Sequence, residues 1–320
     1  MLLTTSVGSL PKPDYLTKAR AQARRGDVDA KALRRLEEQA TREWLKIQED
    51  LGIDILVDGE QYRGDMVAYF AEHLGGFKQS ELVRSYGNRY YHKPIITGEV
   101  RWPGPITVDW WKFAQGLTSR PVKGMLTGSY TIMDWSFNEH YPSRRAATLA
   151  IARVVREEAK DLERAGAQYI QVDEPAVSTR PEEMDLAIEA LGLVTKGLRA
   201  KTITHICYGD FKTIGPKLHK LPVDQIDLEF ANRDFELLDF FRGKRFPKEI
   251  GLGVVDVHTH RTESHDEVVA NLRKALKVFK PEQVYVDPDC GLKTRTPAEA
   301  TDKLRVVVEA TETIRAEVLN

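Results

Sequence analysis

The residues best equipped for chemistry are one histidine and two cysteines. His205 and Cys207 stand two apart in Thr204-His205-Ile206-Cys207, inside a run whose β-branched residues predict a strand. In a strand, residues i and i+2 point to the same side. The chain has only two cysteines, and the second, Cys290, closes the strand-like run VYVDPDC. An imidazole with two thiolates is a ligand set that selects zinc, and a carboxylate, water or substrate commonly takes the fourth place. Glu229, near the end of QIDLEFA, is the carboxylate the chain offers. The competing explanation is ordinary burial, because cysteine outside disulfides is among the most buried residue types. H-x-C with a distant cysteine is also a weaker signal than a paired CxxC.

Positioning such a set requires several strands ending at one face. Short β-branched runs alternate with longer charged amphipathic ones, the pattern of repeated βα units around a parallel sheet. Eight strands are predicted, over 4–10, 54–60, 122–128, 169–174, 202–209, 225–231, 249–256 and 284–290, with helices over 31–51, 144–165, 182–199, 265–279 and 297–317. A single (β/α)8 TIM barrel spanning residues 1–320 is the economical fold. The stretch 61–120 is too long for one helix. Its alternating runs RYYHKPIITGEVRW and ITVDWWKF, with Pro94, Pro103 and Pro105, predict a β-hairpin-bearing insertion after strand 2. Ser9, Glu60, Asp173, His205, Cys207, Glu229, Asp256, His258 and Cys290 all fall at or just beyond the C-terminal ends of predicted strands. That is the face on which barrel active sites are built.

The bulk numbers narrow the function classes. With 47 basic against 48 acidic residues and a formal net charge of −1, neither nucleic acid nor an anionic membrane is expected as a partner. No apolar run reaches membrane-spanning length, and Met-Leu-Leu-Thr-Thr lacks the layout of a signal peptide. The expectation is a cytoplasmic protein whose cysteines are metal ligands or inert rather than a disulfide.

Taken in order, VGSLP (7–11), DILVDGE followed by RGDMVAYF (63–70), PVKGMLTG (121–128), DWSF (134–137), IQVDEPA (170–176), HICYGDF (205–211), VVDVH (254–258) and DPDCGLKTR (287–295) form a recognisable set. With these segments the chain resembles the catalytic, C-terminal half of the cobalamin-independent methionine synthase family. The resemblance implies a zinc-dependent transfer of a methyl group to the thiol of L-homocysteine, giving L-methionine. It implies zinc ligands at His205, Cys207, Glu229 and Cys290, and a homocysteine site at Ser9, Glu60 and Asp173. It also implies a proton-handling histidine at His258 with Asp256 beside it, and an aromatic platform at Trp135.

The donor is expected from a different feature. The length and start of the chain are similar to the short core methionine synthases, without the N-terminal barrel of the long enzymes. On that ground methylcobalamin or a methylated corrinoid protein is the expected donor and partner, with 5-methyltetrahydrofolate as the alternative. His258 points the other way, because an amine leaves poorly without a proton. Glu60 and Asp173 suit an α-ammonium group, although structural pairing is the commoner fate of carboxylates.

Three rival readings remain open. The H-x-H of Asp256-Val257-His258-Thr259-His260 suggests a metal-dependent hydrolase, but such a pair belongs on the first strand, and paired thiols are unusual for activating water. A corrinoid-dependent enzyme methylating another thiol, such as coenzyme M, would leave two carboxylates facing a substrate without an ammonium group. Zinc could also be a structural staple in a binding scaffold.

Overall fold

The computed structural model describes residues 1–84, 90–207, 209 and 211–319. Residues 85–89 of the predicted insertion, and Tyr208 and Asp210 of the HICYGDF motif, lie outside the described residues. The strands are β1 (Leu3–Thr4), β2 (Gly75–Arg84), β3 (Tyr90–Arg101), β4 (Gly124–Thr127), β5 (Phe137–Asn138), β6 (Tyr169–Asp173), β7 (Lys201–Ile206), β8 (Gln225–Leu228), β9 (Glu249–Gly253) and β10 (Val284–Asp287). The helices are α1 (Asp14–Arg24), α2 (Ala30–Leu51), α3 (Met66–His73), α4 (Val108–Gln115), α5 (Ser129–Asp134), α6 (Arg144–Ala165), α7 (Met184–Thr195), α8 (Phe211–Leu218), α9 (Leu238–Phe241), α10 (His265–Ala275) and α11 (Pro297–Leu319). Contacts divide the chain into two compact units, one of residues 1–62, 110–123 and 225–320, the other of 63–109 and 124–224.

In the first unit β1, β10, β9 and β8 lie side by side, all parallel. Their interior side chains, among them Ile226, Leu228, Ile250, Leu252, Val284 and Val286, are at most 1% exposed. Strands buried on both faces read as near-continuous apolar runs, which is why these segments were legible. α2 begins under an Asp29 side-chain cap and stops at Gly52, whose φ of +88° closes the helix in the left-handed conformation. On it Gln48, fully buried, accepts the Val57 N–H at 3.0 Å and donates to the Val57 carbonyl at 2.9 Å.

This contact bears on the expected eight-stranded barrel. Among the described residues seven parallel barrel-type strands form, and the predicted strand 54–60 is absent as an element. Its residues pair only through isolated parallel bridges, Thr5 with Ile55 and Leu56 with Val122. The physical reason is the competition of side chains for its peptide groups. Gln48 occupies Val57, and Asp54 turns its carboxylate onto Thr4, taking the backbone N–H at 2.8 Å and the hydroxyl at 2.9 Å.

The second unit carries β4, β6 and β7 as adjacent parallel strands. Around them run α5, α6 and α7, and α6 is capped by Ser143 at its start and by Gly166 at φ +109° at its end. The antiparallel pair β2 and β3, irregular between Gly75 and Phe77 and again between Gln79 and Leu82, lies within the predicted insertion. β3 covers most of the run RYYHKPIITGEVRW and continues onto β5. The other run expected to alternate as a strand, ITVDWWKF, is instead largely the helix α4, and β2 takes its place as the partner strand. Trp110 and Trp111, in the part of α4 that belongs to the first unit, are buried, and Trp111 donates its indole N–H to the Val122 carbonyl at 2.9 Å. No described helix is long and apolar enough to cross a membrane.

Candidate metal centre

β7 delivers the histidine and the first cysteine. His205 is 3% and Cys207 4% exposed, the cysteine standing one residue past the strand's last residue, Ile206. The backbone here is tied down on both sides of Ile206. The His205 carbonyl accepts the Glu174 N–H at 3.0 Å, and the Cys207 carbonyl accepts the Ser178 hydroxyl at 2.7 Å. A side chain at Gly209 would come within 2.1 Å of Ser178 Cβ, so that turn needs a residue without one.

The loop after β10 delivers the second cysteine, and the residue before it does the positioning. Asp289 is fully buried and accepts three backbone N–H groups: Phe230 and Ala231 at 2.9 Å on Oδ1, and Asn232 at 2.7 Å on Oδ2. It thereby caps the short 3₁₀ turn Ala231–Arg233, directly after Glu229. Its own N–H donates to the Val255 carbonyl at 3.0 Å. Burial pushes the Asp289 carboxyl up to about 7 against the pull of those three donors, and the nearby Glu229 carboxylate adds to the rise. One carboxylate therefore fixes the backbone of Glu229 and of Cys290 together.

Among the described residues, one ligand atom each from His205, Cys207 and Cys290 lie within 4.8 Å of one another. Neither cysteine is in a disulfide. The donor set, one imidazole nitrogen and two sulfurs, fits zinc by ligand type. Glu229, expected as the fourth ligand, stands outside that group. It is fully buried, accepts from the Asn232 side-chain amide at 3.1 Å and lies 3.5 Å from His258 Nε2.

His258 sits on the loop after β9, 33% exposed at the side chain. Its backbone N–H donates to Asp256 Oδ1 at 2.8 Å, and the Asp256 N–H donates to Glu263 at 3.0 Å. Glu263 in turn pairs with Lys303, both buried, at 3.1 Å. The hydrogen bond to Glu229 raises the His258 pKa against a burial effect that lowers it, and the charges of Asp256 and Cys290 act with Glu229. Asp256 thus shapes the loop and its field. His260, the other half of the H-x-H pair, instead meets Glu299 at 2.8 Å with its own side chain 75% exposed, a surface contact that does not make it a metal ligand.

The other residues singled out in the sequence belong to one unit or the other. In the first, the Ser9 carbonyl accepts the Leu292 N–H at 2.8 Å, and a Cβ at Gly291 would meet the Ser9 hydroxyl at 2.1 Å, so Ser9 packs against the residue that follows Cys290. Glu60 is half-buried on a turn with φ +54°. In the second unit Asp173 ends β6, 8% exposed, with Oδ1 accepting the Gln171 amide at 2.7 Å. Trp135 is half-buried and follows α5 directly.

Two carboxylates that position this site escaped the sequence reading. Asp289 is one; Glu174 is the other. Glu174 is fully buried, accepts the Tyr130 N–H at 3.1 Å, the Thr131 N–H at 2.8 Å and the Thr131 hydroxyl at 2.7 Å, and burial raises its pKa to about 7. It holds the start of α5, ahead of Trp135, while its N–H holds His205. The available signal was only that VDEP and DPDC each carry two acids at a strand end.

Residues 2–313 match the family described as "Cobalamin-independent synthase, Catalytic domain". A methionine synthase of Sulfolobus acidocaldarius is 40% identical over 99% of this chain and 93% of that protein. A 5-methyltetrahydropteroyltriglutamate–homocysteine methyltransferase of Lactococcus lactis subsp. cremoris is also 40% identical, over 99% of this chain and 44% of that protein. Among solved structures, a B12-independent methionine synthase from Shewanella sp. W3-18-1, in complex with selenomethionine, is similar with a TM-score of 0.88 and 32% identity, covering 100% of this chain and 99% of that one. The chain belongs to the cobalamin-independent methionine synthase family. That membership overturns the expected donor: methylcobalamin, a methyl-corrinoid and a corrinoid protein partner were inferred from the length and start of the chain, and the family is cobalamin-independent.

Proposed function

We propose that this protein transfers a methyl group from a 5-methyltetrahydrofolate to the thiol of L-homocysteine, with zinc held by His205, Cys207 and Cys290. The observation that carries the reading is the meeting of those three ligand atoms within 4.8 Å in a chain that matches the family over residues 2–313. When bound, zinc supplies acidification of the substrate thiol, which otherwise is only a few per cent thiolate at neutral pH. Glu229, beside Asn232 and His258, would offer a carboxylate as a further ligand.

The protein's own groups do the rest. Glu60 and Asp173 receive the substrate α-ammonium, and the Gly8-Ser9 turn offers backbone N–H groups to its carboxylate. Trp135 stacks against the flat ring of the donor. In the transfer, the bond between the methyl carbon and the donor nitrogen breaks as the sulfur–carbon bond forms. His258, whose pKa the Glu229 hydrogen bond raises, gives its proton to the leaving nitrogen. Holding sulfur and methyl carbon in line supplies much of the acceleration, up to about 7–11 kcal/mol in well-oriented reactions.

The test is methionine formation from homocysteine by zinc-loaded protein, with mono- and polyglutamylated methyltetrahydrofolate compared. Turnover with either folate supports the proposal, and no methionine with both rejects it.

A further inference from the structure

Glu60 has φ +54°, the left-handed region, and Gly59 before it has φ +74°. For a residue with a side chain that conformation costs about 1–2 kcal/mol. It persists only where surrounding groups hold it. Here both peptide groups of Glu60 are engaged. Its N–H donates to Asp58 Oδ1 at 2.9 Å, and its carbonyl accepts the Lys12 ammonium at 3.1 Å. Asp58 is itself buried and takes the Tyr62 hydroxyl on its other oxygen at 2.9 Å. The turn is further tied to the segment bearing Lys12, because the Leu10 N–H donates to the Gly59 carbonyl at 3.1 Å.

Lys12 is an unusual residue to spend on a backbone carbonyl. Burial brings its pKa down to about 8, with Arg20 and Lys293 acting the same way and Glu60 and Glu37 opposing. It is therefore still mostly an ammonium at neutral pH, and a charged donor bonds a carbonyl more strongly than a neutral one. The charge of Glu60 is felt at Lys12 as well, so the lysine meets this one residue through both a hydrogen bond and a field.

We propose that Lys12 is a positioning residue for substrate recognition: with Asp58 it clamps Glu60 in its left-handed conformation and so sets the carboxylate that receives the homocysteine ammonium group. This rests on the substrate role given to Glu60 above. A carboxylate carried on a clamped turn has one backbone orientation, whereas an unclamped Glu60 would relax to negative φ and swing its side chain away.

The experiment is steady-state kinetics of the zinc-loaded full chain as wild type, K12M, K12R, E60A and K12M/E60A, with homocysteine and folate varied separately and melting temperatures recorded. K12M raises the homocysteine KM about tenfold while kcat and the folate KM stay within about twofold, the pattern of lost ground-state binding. K12R, which keeps a charged donor, recovers most of it. In the E60A background K12M adds nothing, because Lys12 acts through Glu60. Additive effects of K12M and E60A overturn the clamp, as does failure of K12R to recover the homocysteine KM. E60A impaired for homocysteine beside an unimpaired K12M removes the clamp and leaves the substrate reading. An E60A enzyme with wild-type homocysteine KM removes both.

Discussion

Removing the Asp289 carboxylate should damage the fold and the metal centre together, and the geometry sets the size of the effect. In Asp289→Ala three buried N–H groups, those of Phe230, Ala231 and Asn232, lose their acceptor. Each orphaned buried donor costs about 1–3 kcal/mol. Part of that is offset, because a carboxylate whose burial pushes its pKa up to about 7 is itself expensive to keep. The net expectation is a loss of about 3–5 kcal/mol, in the range found when a buried charge network is broken. Asp289→Asn separates the acceptor from the charge. Its carbonyl oxygen can keep the Phe230 and Ala231 bonds, while its amide meets the Asn232 N–H donor to donor, so the loss should be about 1–3 kcal/mol. Denaturant midpoints of the zinc-loaded proteins give the ranking, and zinc stoichiometry after dialysis should fall in the same order, because the turn after Glu229 and the loop of Cys290 lose their common anchor. An alanine variant within about 1 kcal/mol of wild type, retaining its zinc, would refute the anchoring role.

Cys207→Ser and Cys290→Ser should each reduce bound zinc to a small fraction of wild type and abolish methionine formation; full zinc occupancy by elemental analysis in either would count against the ligand set. Gly128→Ala places a Cβ 2.0 Å from the Glu174 carboxyl carbon, so it should lower stability by about 1–3 kcal/mol through overpacking, seen as a lower melting temperature. Glu37 is buried beside Arg20, and burial raises its carboxyl to about 7 from the usual 4.5 despite that arginine. The folded state therefore binds this proton more tightly than the unfolded chain, so the stability it contributes is present below about pH 4.5 and fades as pH rises through 7. Glu37→Gln should flatten the stability profile between those values by up to about 3 kcal/mol, and an unchanged slope in pH-dependent denaturation would sink that assignment.

The sequence singled out His205, Cys207 and Cys290, whose candidate ligand atoms meet, and hid the carboxylates that anchor the backbone around them, and the reason is physical. A thiol or an imidazole at a strand end has few structural uses, so Cys207, His205 and Cys290 announce themselves by type. A carboxylate has many. Of the two acids in VDEP, Asp173 accepts the Gln171 amide and Glu174 turns back onto Tyr130 and Thr131; in DPDC, Asp289 turns onto the Phe230–Asn232 backbone. Nothing in the spacing distinguishes them, because the N–H groups that decide the matter come from segments about 40 to 60 residues away in sequence. The same kind of tertiary competition undid the strand predicted at 54–60, whose composition is right but whose Val57 peptide is taken by the Gln48 side chain. The donor failed for a different reason. Cobalamin was inferred from where the chain begins, a feature that places no atom near a methyl group, whereas His258 within 3.5 Å of Glu229 is a physical statement about a proton, and it favoured the folate. Where residues in the site and an argument from length disagree about chemistry, the residues are the better witness.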